Sequence, residues 1–212
     1  MKKYKLTTET LQFAGRTLHR IKAVKDFDSI KAGAFGGWIE NEKNLSQDDN
    51  AWIYGNAMVF DNAEVFDNAK VYGNAEVYGN ANVSGYAKVY GNANVSGYAN
   101  VSDYAKVSDY AEVYGNANVS DYAKVYGNAV IKGDAIVHDA VDYIVFKNFW
   151  SSGRYFTWTS SNNKWSVGCF YGTSEELIKK AYADSEKSGR EYERVVRYVE
   201  SILADEKKEK SN

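Results

Sequence analysis

Between residues 51 and 137, small and branched apolar residues recur with a period of six. Ala stands at every sixth position from Ala51 to Ala135, fifteen times without a slip, and two places after each comes Val or Ile, from Ile53 to Val137. Most residues between the two are polar, such as Glu76, Lys88 and Asn100. An apolar–polar–apolar triplet is a short strand that shows Ala and Val to one side. Most hexads add Gly or Asp and then Asn or Tyr, and Gly and Asn accept the positive φ of a bend. A three-residue strand and a bend, repeated, cannot lie flat and must coil. Three hexads per coil place each strand beside the one 18 residues on, with Val inside and Ala beside the corners. The resulting five coils, at about 4.8 Å per pairing step, make a prism about 24 Å tall. A helix is excluded, because Gly and Asn in every unit break any 3.6-residue pattern.

The unit V-x-G-N-A-x, as in "VYGNAE" at 71–76, resembles the hexapeptide repeat of left-handed parallel β-helix proteins. The likeness covers 51–140 and extends back through Ile39 and Leu45, which keep the six-residue register. It implies left-handed coiling and a homotrimer. The expected fold is mainly β: a left-handed parallel β-helix with a C-terminal β-hairpin and two helices. The expected divisions are a cap at 1–38, the β-helix at 39–141, an α+β domain at 142–204 and a disordered tail at 205–212.

Stacking at 18 residues lets outward positions be followed from coil to coil. The position after the core Val carries Phe66, Ser84, Ser102, Ser120 and His138 on one face, and Phe60, Tyr78, Ser96, Tyr114 and Lys132 on the second. The third carries Tyr72, Tyr90, Ser108 and Tyr126, and one corner gives Asn68, Tyr86, Tyr104 and Tyr122. Each hexad from Phe60 to Asn128 holds one aromatic, as expected of rings packed along a ladder.

A solenoid needs caps at both ends. "RTLHRIKAV" (16–24) reads as a basic strand, with Trp38 as the plug of the first coil. After the prism, 143–146, 154–159 and 164–171 read as strands, the last two joined by a turn at 160–163. Thr173 and Glu176 form a capping box that opens a helix, and a second helix follows Gly189. Cys169, among apolar neighbours, is expected inside a strand; as a lone cysteine it excludes an intramolecular disulfide.

The net charge of −2 is unevenly spread: +5 over 1–34, −8 over 35–140 and +1 over 141–212. The acidic middle argues against a nucleic-acid partner along the repeats. No signal peptide or membrane-spanning run is visible, so a cytoplasmic protein without a membrane partner is expected.

Hexapeptide-repeat acyltransferases, by resemblance, need a general-base His and a loop interrupting the hexads. The two histidines, His19 and His138, are the weak catalytic candidates, and no loop interrupts the repeats, so the reading leans away from an enzyme. No metal-binding cluster or cofactor motif occurs. Conspicuous chemistry gathers in the C-terminal part, where Lys147, Arg154, Tyr155, Trp158, Lys164 and Trp165 lie close in sequence. With Arg20 of the basic N-terminal strand they form the candidate binding set, for a nucleotide-like or anionic small molecule. The segments "GGWIE", "NLSQ", "FWSSGRYFTWT" and the hexads resemble uncharacterised hexapeptide-repeat proteins of phages and gut bacteria. The uninterrupted hexads and the clustered rings and cations beyond them point to a non-catalytic oligomeric binding protein, and a phage origin would permit the role of a sponge for a nucleotide immune signal. A structural rod or filament is the remaining alternative.

Overall fold

A computed structural model of the chain describes residues 2–209, with side chains through Asp205. It divides into two compact units, Met1–Tyr143 and Ile144–Asn212.

The first unit is a parallel β-solenoid. It opens with β1 (Tyr4–Phe13), β2 (Arg16–Ala23) and β3 (Phe35–Ile39). Fifteen two-residue strands follow, from β4 (Trp52–Ile53) to β18 (Ile136–Val137), each starting six residues after the last. Every third strand pairs in parallel with the next of its column, so Val89 lies between Val71 and Val107. The hexad strands thus form three sheets, one per side of a triangle, and β1–β3 extend one of them upward. The Ala and Val columns are sealed: Ala51 through Val137 line the interior at essentially no exposure. Along the sides alternate backbone N–H groups donate to carbonyls one coil on, as Tyr72 to Val89 at 3.0 Å, and several Ala N–H groups close their own turn, as Ala87 to Ser84 at 3.1 Å.

The first residue of each bend has a positive φ, whether Gly (Gly73, 76°) or Asp (Asp67, 57°). Several Asp residues use their carboxylate across the layer: Asp67 accepts from the Gly85 N–H at 3.0 Å, and Asp109 from Gly127 at 3.1 Å. Both residue types therefore solve the same corner. Gly has no Cβ to strain, and Asp tolerates the left-handed region while satisfying the next coil's amide.

The first coil departs from the beat. Ile39 pairs with Val59 and Leu45 bridges Val65, a spacing of 20 residues instead of 18. The two extra residues fall in the Ser46–Asn50 bend, where Asp49 has φ 52°. Lys3 fills this bend, donating its ammonium to the carbonyls of Ala51 at 2.9 Å and Asp48 at 3.0 Å. Burial pulls its pKa down to about 8, against a partial upward pull from Asp49 and Asp48. The plug is Tyr4, not Trp38: Tyr4 is fully buried and points its hydroxyl at the Leu45 carbonyl, 2.7 Å away. Trp38 faces outward on β3 beside Arg20, because Ile39 takes the inward place in that strand.

The second unit is an antiparallel sheet with two helices. Its strands β19 (Tyr143–Lys147), β20 (Tyr155–Thr159), β21 (Lys164–Val167) and β22 (Phe170–Gly172) lie side by side in that order. α1 (Ser174–Asp184) starts on the expected capping box, the Thr173 N–H donating to Glu176 at 2.9 Å. α2 spans Glu186–Glu209, beginning before Gly189 instead of after it. Gly189 sits inside the helix because the Tyr182 ring occupies the space a Cβ would need, 2.2 Å from it. The tail expected from 205 is helical as far as Glu209, and 210–212 lie outside the described residues. Cys169 is exposed, not buried in a strand: it occupies the turn between β21 and β22, where Gly168 has φ 55°. Among the described residues no helix is long and apolar enough to cross a membrane.

Candidate functional site

The hexad's middle residue points outward, so its identity repeats along a column. On one side of the prism that column reads Trp52, Lys70, Lys88, Lys106 and Lys124, each directly paired with the next. Two aromatic columns flank it. Across the bend before the lysines, Tyr86, Tyr104 and Tyr122 stack with ring centroids 5.2 Å apart and planes within 6°. On the far edge Tyr72 stacks on Tyr90, also at 5.2 Å. Asn68, the four lysines, the three corner tyrosines, Asp139 and Ala140 line a groove of about 660 Å³.

The upper end of the groove is occupied by the chain itself. Phe27 packs edge-on against the buried Trp52, and its neighbour Asp28 places a carboxylate oxygen 2.7 Å from the Lys70 ammonium. The hydrogen bond with Lys70 holds the Asp28 carboxyl below its usual range and raises Lys70 above its own. Lys88, Lys106 and Lys124 have no ion-pair partner among the described residues. The glutamates of the hexads lie elsewhere: Glu76 and Glu112 share the second sheet, and Glu64 heads the column of Asn82, Asn100 and Asn118 on the third. Asp67, Asp103 and Asp121 occupy the corner ahead of Lys70, Lys106 and Lys124, and Asp139 lines the groove. Much of the −8 of the repeats therefore sits at the corners, while the outward residues of one side are lysines below Trp52.

The expected binding set is not assembled as a platform. Trp158 and Trp165 are 3% and 1% exposed, inside the core of the second unit with Phe156, Leu177, Tyr192 and Val196. Their indole N–H groups are spent internally, on Asn163 at 3.0 Å and Ser174 at 3.1 Å. Both rings thus serve as core of this small sheet, with their indole N–H groups satisfied there. Lys147 lies over Phe149 and Tyr155, and Lys164 over Tyr171, each about 5 Å from the ring centre. Arg154 is exposed at the start of the strand. Arg20 belongs to the first unit, where it bonds Glu9 at 3.1 Å and covers Phe35 and Trp38.

The histidines are apart. His19 is a half-buried residue of β2, paired with Thr10 and Ile39. His138, on the last coil, has Ser120 Oγ at 2.7 Å and Asp121 Oδ2 at 2.9 Å, both on Nδ1. A relay triad needs its hydroxyl and carboxylate on different ring nitrogens, so this is not one. Asp121 instead orients the ring and leaves Nε2 open. Among the described residues no group of three or more His, Cys, Asp or Glu is placed to hold a metal ion.

The lysine column was readable in the sequence, at 70, 88, 106 and 124, had the middle position of each hexad been followed at the 18-residue spacing used for the others. Summed charge concealed it.

Two comparisons bear on this architecture. Residues 123–139 match the family model described as the YdcK β-solenoid repeat. The chain is also similar to an Escherichia coli (strain K12) protein described as "Uncharacterized acetyltransferase YdcK", 39% identical over 62 residues. That match involves 26% of this chain and spans 19% of the relative's length. By its fold and these likenesses, the chain is a hexapeptide-repeat β-solenoid protein.

Proposed function

We propose that this protein is a non-catalytic binding protein whose solenoid offers an elongated groove to an anionic ligand. The observation that carries this is the unpaired column Lys88, Lys106 and Lys124, one coil apart, beside stacked tyrosines. Like charges directly opposite one another in a sheet destabilise it. A column of them with no internal partner works against the fold, and a bound anion reverses that penalty. The uninterrupted hexads support the non-catalytic part, since no loop walls off a reaction from water. This places recognition on the prism and leaves the cations of the second unit as a rim around a core. The narrower role, capture of a nucleotide signal by that unit, has lost its two buried indoles as stacking surfaces. Homotrimer formation, implied by the family resemblance, belongs to the same proposal, and sedimentation equilibrium checks it.

The test is a thermal-shift series at low salt with polygalacturonate, polyphosphate, polyglutamate and oligo-dT. The comparison is the triple variant Lys88→Gln/Lys106→Gln/Lys124→Gln. At least one polyanion stabilises the wild type, and the effect disappears in the variant and at high salt. The ligand-free variant is no less stable than the wild type. No shift with any polyanion, or a shift unchanged in the variant, defeats the reading.

A second reading, acetyl transfer, has its own observation. His138 has Nδ1 oriented by Asp121 and Nε2 open, as a general base requires, and a similar protein is described as an acetyltransferase. Acetyl-CoA turnover that is lost in His138→Ala would establish it; absence of acetyl-CoA binding would remove it.

A further inference from the structure

From the free edge of the second unit's sheet we infer a further interaction: β19 pairs antiparallel with β19 of a second copy of this chain, about a two-fold axis at Val145. The inference is independent of the groove on the prism and starts from the hairpin. β19 ends the four-stranded sheet, so one of its sides faces no strand. The Asn148 N–H donates to the Arg154 carbonyl at 2.9 Å, the rung that closes the β19–β20 hairpin. In an antiparallel pair, residues that exchange bonds with the neighbour alternate with residues whose N–H and C=O point away. Counting back from Asn148, Phe146 and Ile144 bond inward, and Val145 and Lys147 turn their backbone groups outward. The Lys147 ammonium lies 5.3 Å over the Tyr155 ring, as the same register requires. An outward row of unpaired groups is a template for another strand.

The surroundings supply the area. The strand reads YIVFK, with no proline and its one charge at the end, so little blunts this edge. Beside it lies a groove of about 350 Å³ between Phe146 and α2, lined also by Trp150, Val195 and Tyr198. Phe149, which packs edge-on against Trp150, is 73% exposed, Trp150 64% and Tyr198 56%. At about 200 Å² per ring, the three leave roughly 400 Å² of aromatic surface open on each copy. With the strand edge and the floor of the groove, a two-fold contact reaches the roughly 600 Å² per copy of the smaller stable interfaces.

The edge suits itself. A two-fold axis at Val145 makes this residue its own opposite and sets Ile144 against Phe146 of the partner subunit, so apolar meets apolar on the helix side. The charged residues lining the groove, Glu191 and Arg194, already pair at 2.7 Å. Two copies therefore approach there without net repulsion, and a partner selected by charge finds no open group in the lining.

The test joins a cross-link to sedimentation equilibrium. In a Cys169→Ser background, which removes the exposed native thiol, Val145→Cys and Ile144→Cys are each oxidised. Facing Val145 positions lie about 5.5 Å apart between Cα atoms, within reach of a disulfide. The two Ile144 positions are diagonal neighbours about 7–8 Å apart, out of reach. Val145→Cys gives a disulfide-linked dimer and Ile144→Cys does not. Without added cysteines, Val145→Lys halves the sedimenting mass, whether or not the prisms also form trimers, and Trp150→Ala weakens the association at least tenfold. Circular dichroism checks that each variant is folded. Polyanion stabilisation survives in Val145→Lys, so failure here and failure of the groove reading are separate results. No cross-link at Val145, equal cross-linking of both cysteine variants, or a mass unchanged in Val145→Lys overturns the inference.

Discussion

The corners of the prism offer a graded test of how tightly its coils stack. Gly85 and Gly127 share the left-handed region, with φ 62° and 69°. A Cβ on Gly127 meets nothing within 4 Å, because no further coil covers that corner. A Cβ on Gly85 would lie 2.7 Å from the Asp103 nitrogen and 2.9 Å from its Cα, both backbone atoms of the next coil. Gly127→Ala therefore adds only left-handed strain, about 1 kcal/mol. Gly85→Ala adds the same strain and an interlayer clash of about 1–3 kcal/mol, for a total of about 2–4 kcal/mol. Gly85→Asn costs about 1 kcal/mol less than Gly85→Ala, because Asn tolerates a positive φ and its amide oxygen can accept the next coil's N–H. Asp67 models that contact on the layer before, at 3.0 Å from the Gly85 nitrogen. Urea denaturation followed by far-ultraviolet circular dichroism gives the three midpoints. Equal losses at the two glycines, or Asn as costly as Ala at 85, would refute the claim that interlayer contact sets the corner residue.

Two further outcomes follow. Lys3, with a folded pKa of about 8 against 10.5 unfolded, is the reverse of a favourably paired lysine. The unfolded state binds more protons between those values, so stability rises by about 2 kcal/mol from pH 7.5 to 9.5. Above pH 10 the buried Tyr4 and Tyr143, both raised, act in the opposite direction, so the window stops short of them. Lys3→Met flattens the rise measured by urea midpoints; an unchanged rise would reassign it. In the second unit, Trp165→Ala costs about 3–5 kcal/mol as a buried indole, whereas the exposed Arg154→Ala stays within about 0.5 kcal/mol. Thermal denaturation of the two variants distinguishes a core from a ligand platform.

The hexads made the coil legible because each local choice repeats: Ala and Val alternate, and Gly or Asp marks the bend. The Thr173–Glu176 box was equally local, and α1 starts there. What escaped was set by distance. The 20-residue first coil depends on Lys3 reaching the carbonyls of Ala51 and Asp48, which no periodicity announces. Trp38 was misassigned for a similar reason: Tyr4, 41 residues before the Leu45 carbonyl it bonds, takes the buried place expected of Trp38. In the second unit, proximity of rings and cations in sequence suggested a site, but burial of Trp158 and Trp165 was decided by packing against α1 and α2. Cys169 was misplaced because the apolar run around it contains a turn, marked by Gly168.

The central claim is that recognition lies on the lysine column of the prism. Its most direct measurement is lysine acetylation by acetic anhydride, mapped by mass spectrometry, with and without tetragalacturonate and, separately, polyphosphate. The account predicts protection of Lys88, Lys106 and Lys124 together by at least one of the two, with Lys147 and Lys164 unchanged. Protection at Lys147 and Lys164 instead, or no protection by either polyanion, would contradict it.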